Sequence, residues 1–130
     1  MSGREIALDS SVAVAVLNRG SKAGEWATAY DGHCLSVTVV GELLYGALNS
    51  RRSHENLARV DTLLRSCRIL DIDQPASRAY AEIRLRLKKS GRPIPENDVW
   101  IAAVSLRHGL PLLTHDAHFS EVEGLIVVQP

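Results

Sequence analysis

Four acidic residues of this chain each stand beside an apolar segment, where an ionised side chain is costly. They are Asp9 after IAL, Glu42 within VVGELLYGAL, Asp98 before VWIAAVSL and Asp116 after PLLTH. Burial of a carboxylate needs a countercharge, and carboxylates that lie together also repel one another. Mg²⁺ takes one or two carboxylates per ion and completes its octahedron with water or phosphate oxygens. If the side chains meet, they therefore predict a centre for one or two Mg²⁺ or Mn²⁺ ions.

The chemistry expected of such a centre is hydrolysis of a phosphodiester. A metal ion activates a water molecule, holds the scissile phosphate and stabilises charge on the leaving oxygen. In-line attack by water on phosphorus leaves a 5′-phosphate and a 3′-hydroxyl. Attack by a ribose hydroxyl would instead leave a 2′,3′-cyclic phosphate, so the product ends distinguish the two routes.

Each acid also has a purely structural explanation. Asn97 and Asp98 could cap a helix, whose first turn favours negative charge. Asp9 could likewise be an N-cap, and Asp116 could be a turn residue. Glu42 is explained least well in this way, because apolar residues surround it on both sides. Taken together, the acids favour a functional site.

The segments that must position these acids alternate between short β-branched runs and helical patterns. The runs predict buried strands at residues 6–8, 34–37, 69–72, 110–114 and 125–128. Apolar residues at helical spacing predict helices over residues 41–49, 57–64 and 76–89. Gly91 and Pro93 end the last of these. VAVAVL marks no face, since Val and Ala are both apolar, but a helix capped by Ser10 or Ser11 is favoured.

Strands that alternate with helices imply right-handed crossovers and a mainly parallel sheet covered on both faces. In such sheets the ligand crevice lies beyond the carboxyl ends of the strands. Asp9 follows the predicted first strand and Asp116 the fourth, where Thr114 points to the same face. Glu42 lies early in the helix after the second strand, and Asp98 opens the helix before the fourth. The 130 residues suit a single domain, 1–130.

The composition is that of a globular protein without a strong charge bias. Hydrophobic residues make up 45% and charged residues 23%, and 15 basic residues balance 15 acidic ones. If the acids of the site converge, basic residues outnumber acidic ones on the remaining surface, which suits a polyanion. The Val/Ala-rich run is too short to span a bilayer, so we expect a cytoplasmic, unprocessed protein. Cys34 and Cys67 form no CxxC pair and are expected to be buried free thiols.

Four segments taken together resemble the PIN-domain ribonucleases, specifically the VapC-type toxins of bacterial toxin–antitoxin systems. The segments are LDSSVAVAVLN, SVTVVGELLYGAL, GRPIPENDVWIAA and LLTHDAHFSEVEGLIVV, and the similarity covers residues 6–128. The resemblance implies a three-layer α/β/α sandwich with a mostly parallel five-stranded sheet and a homodimer. It implies Mg²⁺-dependent endoribonuclease activity, with Mn²⁺ able to substitute. It also implies a cognate VapB-type antitoxin, which we expect to insert a basic side chain, arginine above all, among the carboxylates.

The resemblance assigns roles to individual residues of this chain. Asp9 and Asp98 match the family's principal metal ligands, and Glu42 and Asp116 match the other two acids of its pocket. Thr114 matches a hydroxyl that supports these ligands.

Two further polar residues belong to the same match, and one position departs from it. Ser10 matches a polar residue beside the first acid, and Asn97 is expected to hydrogen bond either a ligand or the backbone. Three residues before Glu42 the family often has a helix-capping Thr or Ser, whereas this chain has Val39, with Thr38 one position earlier. The start of that helix is the feature this departure affects.

Histidines, tryptophans and a basic run near these motifs have simpler explanations than a catalytic role. His115 and His118 flank Asp116, but a structural zinc site uses four N or S ligands and no cysteine is nearby, so a solvent-facing or substrate-contacting role is favoured. Trp26 and Trp100 are expected to be core or interface anchors. A basic run could bind RNA phosphates, although a solvated helix face is its default interpretation. The run comprises Arg84, Arg86, Lys88, Lys89 and Arg92.

Two other classes of function compete with the ribonuclease toxin. The first is a catalytically silent PIN-fold binding module that acts through an antitoxin or another partner, although such a module has no need of the acids. The second is a phosphoacceptor receiver domain, which needs paired acids after its first strand and a late lysine. Here Ser10 and Ser11 follow Asp9, and the last lysine is Lys89. A DxD phosphatase fails at Ser11 as well.

Overall fold

The computed structural model describes residues 4–18 and 22–130, and a five-stranded sheet lies at its centre. The strands are β1 Glu5–Leu8, β2 Gly32–Ser36, β3 Arg68–Leu70, β4 Leu112–Leu113 and β5 Val127–Val128. They lie in the order β3-β2-β1-β4-β5, and each neighbouring pair is parallel. The expected α/β class with a parallel five-stranded sheet is confirmed.

Helices connect the strands throughout the described part of the chain. They are α1 Ser10–Asn18, α2 Lys22–Ala27, α3 Val37–Leu48, α4 Ser53–Ser66, α5 Gln74–Ser90, α6 Glu96–Arg107 and a 3-10 helix, Ala117–Glu121. The predicted helices at 41–49, 57–64 and 76–89 coincide with parts of α3, α4 and α5. Within the residues that the structure describes, no helix combines the length and the apolarity needed to cross a membrane.

The connections place helices on both faces of the sheet. From β1 through β2 to β3 the chain moves toward one edge and forms α1 to α4, with α3 packed on α4. From β3 to β4 it moves back across the sheet and forms α5 and α6, which pack on each other. Right-handed crossovers that run in opposite directions cover opposite faces, so the molecule has three layers. The reversal creates a topological switch point between β1 and β4, where a ligand crevice is expected.

The strands at the switch point are held by the deepest part of the core. Ile6 and Leu8 of β1 and both leucines of β4 are buried, as is Phe119, the only phenylalanine of the chain, which enters from the 3-10 helix. Burial of a side chain of this size contributes about 1.5–3 kcal/mol. The carboxyl ends of β1 and β4 are therefore firmly positioned.

Two helices begin earlier than the sequence predicted. The predicted strand 34–37 ends at Ser36, because the Ser36 hydroxyl accepts the N–H of Val39 at 3.3 Å and so caps α3. Ser36 thus supplies the capping hydroxyl that the family often has three residues before its glutamate, where this chain has Val39. Helix α1 begins at Ser10, so Ser10 and Ser11 lie inside its first turn and the prediction that one of them precedes the helix as its cap was wrong.

The third and fourth strands are shorter than predicted. Predicted strand 69–72 ends at Leu70, since Asp73 already caps α5 through a hydrogen bond from the N–H of Ala76 at 2.9 Å. Predicted strand 110–114 is reduced to Leu112–Leu113, and the fifth strand, predicted at 125–128, is reduced to Val127–Val128. Helix α2 was not predicted at all, because its six residues, KAGEWA, are too few to display a helical period.

The tryptophans and cysteines occupy mixed environments. Trp26 on α2 is 41% exposed, so it is not a core anchor. Trp100 on α6 is partly buried and stacks on Tyr80 of α5, with 3.8 Å between ring centroids. Cys34 is a buried free thiol as predicted, whereas Cys67 is only half-buried.

Candidate metal centre

Asp9 and Thr114 meet at the switch point, directly after β1 and β4. Asp9 is only 3% exposed, and Thr114 is fully buried. The Thr114 hydroxyl donates to Asp9 Oδ2 at 2.7 Å, and the N–H of Ser10 donates to Asp9 Oδ1 at 2.8 Å. Each carboxylate oxygen thus has a donor, which offsets the cost of burying the charge and fixes the orientation of the side chain.

Thr114 also orients the loop that carries Asp116. Its Oγ1 accepts the N–H of Asp116 at 3.0 Å, just before the 3-10 helix. Asp116 occupies the cap position of that helix but makes no side-chain cap hydrogen bond, and it is exposed. Its carboxylate is therefore free to serve the crevice.

Helix α3 brings Glu42 to the same edge of the sheet. The Ser10 hydroxyl donates to Glu42 Oε1 at 3.3 Å, which ties the first acid segment to the second. Burial raises the pKa of Glu42, and the charges of Asp9 and Asp98 raise it further. Hydrogen bonds from Ser10 and Asn97 oppose that rise. Asn97 therefore contacts a site acid as well as standing exposed at the mouth of the crevice.

Helix α6 supplies Asp98 from its first turn. The cap residue is Pro95, without a side-chain cap bond, so the interpretation of Asp98 as a helix cap was wrong. The Asp98 carboxylate hydrogen bonds to His118 instead, with 2.6 Å between Oδ2 and Nε2. Burial raises the pKa of Asp98, with added repulsion from Asp9 and Asp116, whereas the His118 contact lowers it.

The described residues contain one compact group of potential metal ligands, formed by Asp98, Asp116 and His118. One ligand atom from each lies within 4.8 Å of the others. Asp9 and Glu42 lie beside this group. Thr114 hydrogen bonds to both Asp9 and Asp116, and Ser10 hydrogen bonds to both Asp9 and Glu42. Burial and repulsion between the acids raise the pKa of Glu42 and of Asp98. A divalent cation relieves that repulsion and prefers hard oxygen donors, so the residues fit Mg²⁺ or Mn²⁺.

His118 is the member of this group to which the sequence assigned no metal role. Sequence position alone could not separate it from His115, since both flank Asp116. The structure separates them, because His115 is exposed and lies outside the ligand group, whereas His118 contacts Asp98. The sequence signal for His118 was its position two residues after Asp116. That spacing indicates a shared site only once the 3-10 helix is known.

The basic run lies mostly against acidic side chains. Arg84 pairs with Glu96 at 3.7 Å, Arg86 with Glu123 at 3.1 Å, and Arg92 with Glu121 at 3.1 Å. Lys88 and Lys89 are exposed in the last turn of α5. All of these pairs are on the surface, where such contacts are worth about 0–1 kcal/mol, so an arginine can exchange its partner for a phosphate at little cost.

Two concave surfaces open onto Glu42. One, of about 540 Å³, runs from Ser10 and Glu42 between α1, α3 and α4, and Arg59 lies on its wall. The rest of its lining is mixed: Ser11, Asn18 and Asn56 are polar, and Val14, Leu17, Leu43, Ala47 and Val60 are apolar. The other, of about 600 Å³, lies over Gly41, Tyr45 and Asn97 and shares Glu42 with the first. Glu42 therefore stands where the two surfaces meet.

The fold and the site together define a PIN domain. The PIN domain family model matches residues 6–125, and the chain belongs to this family. Its relatives are VapC ribonucleases. Ribonuclease VapC5 of Mycobacterium tuberculosis is 33% identical over 124 residues, which are 94% of this chain and 90% of that protein. The tRNA(fMet)-specific endonuclease VapC of Shigella flexneri is 33% identical over 93 residues, which are 71% of this chain and 70% of that protein.

Solved structures of toxin–antitoxin complexes have the same fold. The structure of VapBC-5 from Mycobacterium tuberculosis matches with a TM-score of 0.76 and 30% identity, over 96% of both chains. The structure of VapBC2 from Rickettsia felis, bound to a DNA fragment from their promoter, matches with a TM-score of 0.87 over 96% of this chain and 98% of that one. At 24% identity the second likeness concerns the fold alone.

Proposed function

We propose that this chain is a metal-dependent endoribonuclease and the toxin of a type II toxin–antitoxin pair. The observation that carries the proposal is the convergence of acids from four separate segments at the switch point of a PIN domain whose relatives are VapC ribonucleases. The family match over residues 6–125 also supports the proposal that residues 1–130 form one PIN domain. Because cellular RNA is the proposed substrate, we place the protein in the cytoplasm.

The four acids would act as metal ligands in this function. Asp9 and Asp98, with Glu42 and Asp116, would hold the divalent ion, either Mg²⁺ or Mn²⁺. A bound divalent ion supplies activation of water and neutralisation of phosphate charge. Thr114 keeps the buried Asp9 carboxylate in one orientation. The exposed side of Asp116 and the mouth of the crevice leave room for an RNA strand.

Asp98→Asn gives the most direct test of the nuclease. Purified antitoxin-free protein would be incubated with total cellular RNA in Mg²⁺, Mn²⁺ or EDTA, and the new 5′ ends would be sequenced. We expect a few discrete cuts that need metal and that fall by at least roughly 100-fold in Asp98→Asn. Asp61→Asn, at an exposed acid of α4, is the matched control and should cut like the parent. Folded protein that cuts no RNA with any metal would favour the silent binding module instead.

Part of the basic run is proposed to bind the RNA. Lys88 and Lys89 are exposed at the end of α5, and Arg84 lies with Glu96 near the start of α6, the helix that carries Asp98. Phosphate contacts of this kind make binding depend steeply on salt. We expect Lys88→Gln with Lys89→Gln to weaken RNA binding and to reduce the salt slope of the affinity, and an unchanged slope would exclude these lysines.

The proposed protein partner is a VapB-type antitoxin that places a basic side chain among the carboxylates. Solved complexes of relatives contain such antitoxins. The surface between α1, α3 and α4, which combines apolar and polar side chains, would receive the antitoxin segment, and Glu42 at its end supplies the charge for an arginine. Replacing the antitoxin's basic residues with alanine should weaken inhibition at least about tenfold. Full inhibition by that variant would disprove the insertion.

We also propose a homodimer that forms through the exposed face of α3. Tyr45 is 68% and Leu48 62% exposed on this helix, and apolar side chains at helical spacing favour burial against a partner. Leu48→Lys should convert the dimer to a monomer in sedimentation experiments. Ile126→Lys is the control, since Ile126 is 66% exposed but lies elsewhere, before β5. Dimers of equal stability in both variants would place the interface on another face.

A further inference from the structure

His118 reaches the centre from the 3-10 helix that follows Asp116. The imidazole Nε2 lies 2.6 Å from Asp98 Oδ2 and belongs to the same 4.8 Å ligand group as Asp98 and Asp116. The side chain is 34% exposed, so solvent could satisfy its polar atoms without this contact. Its position therefore calls for an explanation beyond the burial of a polar group.

The 3-10 helix holds His118 in place by burying its neighbour. Phe119 is fully buried, and its N–H donates to the carbonyl of Asp116 at 3.4 Å. The His118 and Phe119 rings lie 5.0 Å apart at an angle of 38°. Because the core anchors Phe119, the direction in which His118 leaves the helix is set by the fold. The exposed His115 follows the buried Thr114 but lies outside the ligand group.

The dimensions of the group match those of a single coordination sphere. An octahedral Mg²⁺ keeps its ligands at about 2.0–2.1 Å, so two ligands on opposite sides lie about 4.2 Å apart. The 4.8 Å spread of the group exceeds that separation only slightly. An ion held by Asp98 and Asp116 would therefore have the imidazole nitrogen within reach after a small adjustment.

We infer that His118 is a metal ligand of this centre, and that its nitrogen makes the protein select Mn²⁺ over Mg²⁺. The inference rests on the proposed function, because it concerns the same metal. Carboxylate and water ligands suit Mg²⁺ and Mn²⁺ alike, whereas imidazole favours transition metals. His118 thus adds to the acids a preference that oxygen ligands alone do not give.

The test measures metal binding rather than RNA cleavage. Calorimetric titrations with Mn²⁺ and with Mg²⁺ would be compared for the parent, His118→Gln and His115→Gln, and pulsed electron paramagnetic resonance would detect nitrogen bound to Mn²⁺. Gln can still donate a hydrogen bond to Asp98 but offers an amide oxygen as its ligand atom. We expect His118→Gln to lose the nitrogen signal and about tenfold or more in Mn²⁺ affinity, with a smaller change for Mg²⁺. His115→Gln should behave like the parent.

The outcomes separate this inference from the proposed function. Mn²⁺ binding that Asp98→Asn abolishes, but without a nitrogen signal in the parent, would overturn the role of His118 and leave the metal centre intact. A His118→Gln variant with parental affinity for both ions would overturn it equally. Failure of the folded parent to bind either ion would overturn both this inference and the metal-dependent function.

Discussion

Thr114 serves two groups of the site with one buried hydroxyl. It donates to Asp9 Oδ2 and accepts the N–H of Asp116, so it joins the end of β4 to the end of β1 and to the next acid. The sequence identified this residue by its position near Asp116 and by the family resemblance. The buried environment that makes its hydroxyl necessary follows only from the packed sheet.

Thr114→Val should therefore destabilise the protein although it keeps the shape of the side chain. The substitution leaves a carboxylate oxygen of Asp9 without its donor, at a cost of about 1–3 kcal/mol. Urea denaturation of the metal-free protein would measure the loss. Thr114→Ser retains the hydroxyl and should lose only about 1 kcal/mol, through its missing methyl group. A Thr114→Val variant as stable as the parent would mean that the hydrogen bond contributes nothing.

Glu42 should make the stability of the metal-free protein depend on pH. Burial, together with repulsion from Asp9 and Asp98, raises its pKa above the ordinary value of 4.5. For a raised pKa the stabilising contribution is fully present below the unfolded value and is lost as pH rises through the folded value. Ionisation of Glu42 therefore lowers the free energy of unfolding from about pH 4.5 upward.

Glu42→Gln should remove this loss, since the amide cannot ionise. In EDTA the variant should match the parent near pH 4 and be more stable near pH 7, as measured by urea denaturation at both pH values. Glu82→Gln, at an exposed acid of α5, controls for the loss of a charge. If the difference in the free energy of unfolding between Glu42→Gln and the parent is the same at pH 4 and pH 7, ionisation of Glu42 does not destabilise the protein.

At the scale of elements, the turn between α5 and α6 determines where Asp98 lies. Gly91 ends α5 with φ at 70°, and its N–H donates to the carbonyls of Leu87 and Lys88. This left-handed conformation favours glycine, because a Cβ there meets the backbone. The sequence predicted this helix end correctly from the glycine and the following proline.

Gly91→Ala and Gly46→Ala should change stability in opposite directions. Gly91→Ala forces alanine into the left-handed region and should cost about 1 kcal/mol. Gly46 lies within α3, where an added Cβ meets nothing within 4 Å, so Gly46→Ala should stabilise by roughly 0.5–1 kcal/mol. Thermal denaturation of both variants would test this. Shifts of the same sign would show that backbone conformation does not govern these positions.

The sequence predicted best the elements in which a regular apolar spacing persists over several turns. Helices α3, α4 and α5 follow from apolar side chains at helical spacing, which persists over several turns. Their exact starts depend on caps such as Ser36, which periodicity does not reveal. Helix α2 is too short to show a period, and β4 has only two paired residues, so neither could be bounded from the sequence alone.

At the scale of the whole molecule, the strand order brings the site together. Asp9 and Thr114 are 105 residues apart in sequence and meet because β1 pairs with β4. Alternating strands and helices predict a parallel sheet, but they do not give the order of its strands, which the structure supplies. The surface pairs of Arg86 and Arg92 with Glu123 and Glu121 were also beyond prediction, since they join segments that no local pattern relates.

The chemistry of the cleaved ends tests the central claim, metal-assisted attack by water, most directly. Antitoxin-free protein would cut a defined RNA with Mg²⁺ or Mn²⁺, and the ends would be identified by ligation and by mass spectrometry. If a metal-activated water attacks phosphorus, we expect 5′-phosphate and 3′-hydroxyl ends that form only when metal is present. Products with a 2′,3′-cyclic phosphate, or cutting that continues in EDTA, would contradict it, because the ribose rather than a metal-activated water would then be the nucleophile.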